Sequence, residues 1–454
     1  MISMRSDYAS ANKTTNTSAE RKMSTSPKVM ALLRSNRVFQ SLHADDRMAL
    51  EKLASTYRLT YQQAKQICDW ALDLRCWEEK PLVELLRAKD ADFSSGEAFF
   101  RFFRNHWNTL KTRPKNYQNF QGMVLVHGLG DEKPAQQLIL DQTKEGLALG
   151  SCPVASPRTR CCNLQTLDVI EGCGFDCSYC AIKTFYQPGQ VSFDRSFAEK
   201  LAKLELPKDK LYHIGTGQSS DSLLWANRWG ALDALVDFAH RHPKVILELK
   251  TKSKNIEPLL DRDLPPNLVC TWSLNTPVLI EKEEHRTASL EQRLEAARKL
   301  SEKGGLVGFH FHPLVDYDRW EQDYQSLCDQ LIGEFSPEQV LMVSLGTLTF
   351  TRPVMKRLRT SLYRSKILQM PLVEAEGKFS YPLDVKRRLF SQVYRWLESW
   401  HEKVYFYLCM EDQSLWMDVF SREYPTNEDF EQDMLNSYWE KICLRHGVKQ
   451  GINP

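Results

Sequence analysis

Three cysteines fall on one short stretch of the chain, Glu171-Gly172-Cys173-Gly174-Phe175-Asp176-Cys177-Ser178-Tyr179-Cys180. Thiolates at Cys173, Cys177 and Cys180 are close enough to hold three irons of a cubane. Iron–sulfur clusters normally take four cysteines, so the fourth iron is left open to an exogenous ligand. Tyr179 can shield such a cluster and pack on a bound planar group, while Gly172 and Gly174 let backbone approach closely. Two other chemistries compete. Zinc could take the three thiols with Cys161, Cys162 or a histidine, although structural zinc sites pair two-cysteine knuckles and no second knuckle is visible. The cysteines could also be inert core thiols. Their spacing beside Gly and Asp favours the cluster.

The elements that must position this loop are legible around it. Thr166–Gly172, Leu211–Thr216, Lys244–Thr251, Leu268–Asn275, Leu306–Leu314 and Val340–Phe350 read as six strands, rich in β-branched and aromatic residues. Helical periods separate them near Phe197–Leu204, Gly230–His240, Ile256–Leu260, Ser289–Lys303 and Arg319–Phe335. Ser289 with Gln292 makes a capping box, and Gly304-Gly305 a stop. Such alternation implies parallel strands joined by right-handed crossovers, as an open doubly wound sheet or an incomplete barrel. No glycine-rich phosphate loop follows the first strand. The cysteine loop does follow it, which places the chemistry at the C-terminal mouth where such folds bind ligands.

The remaining chain divides by composition into a disordered tail (1–28), a helical N-terminal region (29–120), a connecting segment (121–164), the α/β region (165–350) and a C-terminal extension (351–454) that turns helical from about Leu383. Leu50, Leu53, Ala54 and Tyr57 make one helical stripe. A second helix over Tyr61–Leu74, capped by Thr60, completes a helix-turn-helix rhythm that suits a DNA reader or a plain bundle. Arg101–Lys115 mixes basic and aromatic residues, for nucleic acid or for snorkelling over a core. Arg352–Lys366 carries six cations and no acid, for phosphates or for solvent, with Tyr363 available for stacking. Across 454 residues, 60 Lys+Arg stand against 58 Asp+Glu, 42% of residues are hydrophobic, and the twelve cysteines include the loop. No apolar run nears the ~20 residues that span a bilayer, and no signal-type segment opens the chain. A soluble cytoplasmic enzyme with reduced thiols is the expectation.

The run CGFDCSYC resembles the cluster loop of radical S-adenosylmethionine enzymes, in which the cofactor's amino and carboxylate groups ligate the open iron. The resemblance extends to the spore photoproduct lyase family over about 165–360, through LELKTKSKNIEPLL, WSLNT, SLEQRLEAARKLSEKG and GFHFHPLVDYDRWEQDY. It implies a partial (β/α)6 TIM-like barrel, a 4Fe-4S cluster, S-adenosylmethionine, and an electron donor such as flavodoxin or ferredoxin. It also implies a DNA substrate, with a 5′-deoxyadenosyl radical that abstracts hydrogen from it. By position Lys252 and Ser273 become cofactor contacts, with Asn275 nearby and Tyr179 at the cluster. A strand-end Lys can pair with a carboxylate, and Ser or Asn can hydrogen-bond ribose or adenine edges. His310 and His312 face one side of the fifth strand, as ligand contacts or as bonded core histidines.

Departures from the family bear on the substrate. Its hydrogen-donor Cys, in a Cys-Thr-Ser-Asp run, corresponds here to Gln218 of Gln218-Ser219-Ser220-Asp221, and an amide cannot replace a thiol. Its radical-relay Tyr after the third cluster Cys corresponds to Ala181, and its DNA-binding hairpin to a reduced EGKFSYP. Cys152, Cys161, Cys162, Tyr186 and Tyr212 are substitute donors by composition only. Two further readings therefore stand beside a DNA lyase: the same radical chemistry on a non-DNA substrate, and an iron–sulfur DNA-binding regulator.

Overall fold

The computed structural model describes residues 27–447, apart from 88–92, 123–137, 148, 153–155, 157, 188, 360 and 362. The tail expected over 1–28 lies almost entirely outside the described residues, as does much of the connecting segment. The apolar runs form strands because both faces are covered, by helices outside and by barrel contents inside. β1 (Gln165–Leu167), β2 (Tyr212–Thr216), β3 (Val245–Thr251), β4 (Leu268–Ser273), β5 (Leu306–Leu314) and β6 (Val340–Thr347) pair in parallel in chain order. β7 (Tyr405–Leu408) adds to β6 in parallel, and Leu149–Ser151 pairs antiparallel with β1, giving an eight-stranded curled half-barrel. Helices Ala231–Arg241, Leu290–Glu302 and Trp320–Glu334 form the main crossovers. The Ser289–Gln292 capping box is present in both directions.

Two predicted strands are each split. Thr166–Gly172 leaves the barrel after Leu167, because Ser219 Oγ donates toward Asp168 (2.5 Å) and the Ile170 carbonyl (2.6 Å) and draws the chain aside. Ile170–Glu171 then pairs with Gln190–Asp194 in a separate sheet that also holds Leu138–Gln142. Val340–Phe350 breaks after Thr347, whose N–H and hydroxyl both bond Glu411 Oε1. Thr349–Thr351 continues into an antiparallel sheet with Val373–Ala375 and Lys378–Ser380. The reduced EGKFSYP segment is thus a short hairpin, turned by Glu376 and Gly377 at positive φ.

The N-terminal helices Ala44–Tyr57 and Tyr61–Cys76 share one continuous hydrophobic core with the barrel and the C-terminal helices. Helix Tyr61–Cys76 buries Ile67, Trp70, Leu72 and Leu74 at once, so most of its circumference packs on the core, and Gln62, Lys65, Gln66 and Asp69 form its outer polar strip. Arg101–Lys115 lies mostly on helix Gly96–Thr112, with Phe99, Phe100 and Phe103 buried and Lys111 over the Trp107 ring. Half of the basic segment turns inward, while Arg352, Lys356 and Arg357 stay exposed. Arg359 pairs with Asp73, Arg364 with Glu78, and Lys366 Nζ donates to the Trp77 carbonyl; Tyr363 is buried against His285.

Asp73 accepts from Arg359 Nε (2.7 Å), Arg359 Nη2 (3.0 Å) and Trp107 Nε1 (3.0 Å), and its side chain is 2% exposed. Removing one partner of a buried pair strands the other charge, at about 3–5 kcal/mol. Urea unfolding of Arg359→Ala should show a loss of that order, and Arg359→Lys a smaller one. A loss below about 1 kcal/mol would mean the pair is solvated.

Candidate active site

Gly172 sits at φ +81, and any side chain there would place its Cβ 2.3 Å from the Gln190 carbonyl, so only glycine admits the chain to the cysteine loop. The loop is fastened to the segment after helix Pro277–Glu283. Asp176 N–H donates to the His285 carbonyl (3.1 Å) and Ser178 N–H to the Glu283 carbonyl (2.7 Å), while Ser178 Oγ lies 3.0 Å from His285 Nε2. Burial, with the Asp221 carboxylate nearby, pushes the Cys173 thiol well above its ordinary range. Its ionisation needs a cation that offsets both, which an iron supplies. Among the described residues no three His, Cys, Asp or Glu side chains converge on one ion. A zinc would require its sulfurs about 2.3 Å from a single point. A cubane spreads its ligands over separate irons, which suits three thiols spaced along one loop.

Beside the loop lies the Glu284 carboxylate, with no exposed side-chain surface. It accepts from Arg293 Nη2 (2.5 Å), from Lys252 Nζ (3.2 Å) and from the Tyr179 hydroxyl. Burial opposes its ionisation, but Arg293 and Lys252 outweigh burial and hold its pKa at about 2. Lys252 is therefore an ion-paired residue, not one of several solvated lysines; its N–H also donates to Asp221 (2.6 Å) and its ammonium lies over the Tyr179 ring. Arg293 Nη1 reaches the Ser273 carbonyl (2.8 Å), tying β4 to the same network. Lys252, Tyr179 and Ser273 are thus linked through two buried charges, Glu284 and Arg293, that sequence reasoning missed. Asn275 is fully buried and its amide is committed: Nδ2 donates to the Pro313 carbonyl, and Oδ1 accepts from Tyr324 and Thr276 N–H. Its side chain shapes the end of β4. Gln218 follows Gly217 (φ +87) at the C-terminal end of β2.

His310 and His312 point into the barrel. His310 lies 2.7 Å from Glu248 Oε1 and 2.6 Å from Ser344 Oγ, and Ser344 Oγ lies 2.9 Å from His312 Nε2. His213 completes the row, 2.9 Å from Glu248 Oε2. The signal for Glu248 was present in the strand itself, where Glu248, Lys250 and Lys252 alternate with Leu247, Leu249 and Thr251. Cys162 is buried in the main core, and Cys152 and Cys409 pack against it. The Cys161 thiol is lowered to about 7, first by a hydrogen bond from Cys162.

A partial parallel barrel with a three-cysteine loop at its C-terminal mouth defines the class of radical S-adenosylmethionine folds. The comparisons narrow this. Residues 162–382 match the family model described as spore photoproduct lyase. The chain is 27% identical over 166 residues to the spore photoproduct lyase of Clostridium acetobutylicum, covering 36% of this chain and 49% of that protein. It is 23% identical over 208 residues to that of Bacillus subtilis, covering 43% and 59%. A solved spore photoproduct lyase mutant with dinucleoside spore photoproduct has the same fold, with a TM-score of 0.50 at 20% identity over 62% of this chain and 87% of that one. Over residues 162–382 the chain is similar to the spore photoproduct lyase family, and it spans about half the length of the curated relatives it matches.

The sign of the Glu284 shift sets an acid limit. Its folded pKa lies below the ordinary value, so its stabilisation is complete above about pH 5 and is lost as pH falls through about 2. Wild type should exceed Glu284→Gln in stability by about 3 kcal/mol at pH 7, the gap closing between pH 5 and 2 in urea titrations. A gap independent of pH would show that Glu284 is not ionised.

Proposed function

We propose that the chain is a radical S-adenosylmethionine enzyme of lyase type that acts on a pyrimidine lesion in DNA. The observation that carries this reading is the meeting of the cysteine loop with the Tyr179–Glu284–Lys252 network at the mouth of a parallel barrel. Cys173, Cys177 and Cys180 would hold three irons of a 4Fe-4S cluster. When bound, the cluster and S-adenosylmethionine supply a 5′-deoxyadenosyl radical that abstracts hydrogen from the substrate. Glu284 holds Lys252 through one of its three ammonium donors, which leaves others for a ligand carboxylate. Tyr179 covers the cluster side, and Ser273 faces the ligand from β4, its backbone fixed by Arg293 and its neighbour Asn275 locked in place. Reduction would come from a flavodoxin- or ferredoxin-type donor. Among the described residues no helix is long and apolar enough to cross a membrane, in keeping with the cytoplasmic location we propose. A non-DNA substrate is the second reading, favoured by the inward turn of Arg359, Arg364 and Lys366.

Anaerobic reconstitution followed by dithionite, S-adenosylmethionine and irradiated DNA tests both readings. Wild type should bind one 4Fe-4S cluster and cleave the cofactor, and Cys173→Ala, Cys177→Ala or Cys180→Ala should each abolish the cluster. Tetrahedral zinc in place of iron would end the radical reading. Lys252→Ala should keep cluster absorbance and weaken cofactor binding more than tenfold, for about 1.5–3 kcal/mol; unchanged affinity would remove Lys252 from the site.

The lack of a thiol at Gln218 gives a separate expectation. Wild type should repair the spore photoproduct poorly, and Gln218→Cys should increase repair by restoring a hydrogen donor. Robust wild-type repair that survives Cys152→Ala, Cys161→Ala and Cys162→Ala in turn would refute the donor assignment.

A further inference from the structure

The barrel interior is layered, and the two layers differ. In the lower one Glu248 leans along the barrel to reach Thr271 on β4 and His310 on β5, both at 2.7 Å. Lys250 is two residues further along the same face of β3, and Ser273 and His312 are each two residues beyond Glu248's partners. Lys250 lies close enough to His312 for its charge to help hold that ring below its ordinary range, after burial and His310. The lower layer is closed, with Glu248 3% and His310 0% exposed. Lys250 and His312 each keep partial exposure. His312 is held firmly, since a Cβ on Gly346 would lie 3.1 Å from its ring.

The hydrogen bonds fix which atoms of this layer remain available. Burial lowers His310 to about pKa 4, so the ring is neutral. Glu248 can only accept, hence His310 Nε2 carries the proton and donates to it. His310 Nδ1 must then accept from the Ser344 hydroxyl, which leaves Ser344 Oγ to accept from His312 Nε2–H. His312 Nδ1 ends the chain as a lone pair, with no donor among the described residues. Lys250 is in the opposite state. Both Glu248 oxygens are occupied by Thr271, His310 and His213, and Lys250 Nζ has no hydrogen-bond acceptor among the described residues. A cationic donor and a neutral acceptor thus share the same partly exposed layer.

We infer that Lys250 and His312 form a recognition pair for the lactam edge of a nucleobase, Lys250 donating to the carbonyl oxygen and His312 Nδ1 accepting from the adjacent ring N–H. A carboxylate would satisfy Lys250 and repel the lone pair; an ammonium would do the reverse. Thymine, uracil and guanine carry the required carbonyl beside an N–H, whereas adenine and cytosine do not. This assignment rests on the proposed nucleic-acid substrate and names the edge by which it is read.

The test uses full-length protein reconstituted with its cluster and S-adenosylmethionine, without reductant, so that binding is read apart from turnover. Thymidylyl-thymidine should bind at least about tenfold more tightly than its N3-methylated form and than the deoxycytidine dinucleotide. His312→Phe should erase the difference between methylated and unmethylated ligand, and Lys250→Met should weaken both. Uridine and deoxyguanosine dinucleotides in parallel identify which lactam base is preferred. Equal wild-type affinity for methylated and unmethylated ligand, a comparison that needs no variant to fold, would overturn the pairing, as would no binding of any lactam base. Cofactor cleavage by wild type is measured separately. Discrimination retained without cleavage would sustain the pair and end the radical reading.

Discussion

The Glu284 carboxylate lies out of solvent where separate parts of the chain converge, and each part brings one of its partners. Tyr179 comes from the cysteine loop, Lys252 from the end of β3, and Arg293 from the helix after β4. Taking a carboxylate out of water costs several kcal/mol, and only well-aligned charged donors offset it. The geometry of the mouth is therefore set by the need to keep this one anion satisfied. Arg293 extends the constraint, since its other donors reach the Ala288 and Ser273 carbonyls and the Thr287 hydroxyl.

Support for the cysteine loop also comes from Tyr117, outside the residues that match the family, and from Lys366 within them. Glu283, the neighbour of Glu284, accepts from the Tyr117 hydroxyl (2.8 Å) and from Lys366 N–H (2.9 Å), while its carbonyl holds Ser178. Tyr117 lies beyond the N-terminal helices, and Lys366 ends the basic segment that folds onto them. Cations that a sequence would assign to phosphate are used here to seat one part of the chain against another. Burial explains the choice, because the Asp73 and Glu78 carboxylates would otherwise lose their cationic partners.

The interior of the barrel follows the same rule with a different outcome. The lower layer is a buried polar chain around Glu248 in which each shared proton has one direction, with His213 Nδ1 left unbonded among the described residues. The upper layer differs by only two residues along each strand, yet it is partly exposed and leaves one donor and one acceptor unspent among the described residues. Structural and recognition roles are thus separated by depth along the same strands.

The cysteine spacing, the alternation of strands and helices, and the capping box at Ser289 were all readable in the chain, because each depends on residues near one another in sequence. Tyr179, Lys252 and Ser273 could be named from local resemblance for the same reason. What holds them together could not. Glu284 and Arg293 read as ordinary charges on a helical stretch, and only the closing of the sheet takes them out of water and pairs them with residues from the cysteine loop and β3. The two split strands, the added strands at either edge of the sheet, and the inward turn of Arg359, Arg364 and Lys366 were likewise decided by contacts between distant segments. Periodicity reports which side of an element is apolar; which buried charge meets which partner is a property of the assembled barrel alone.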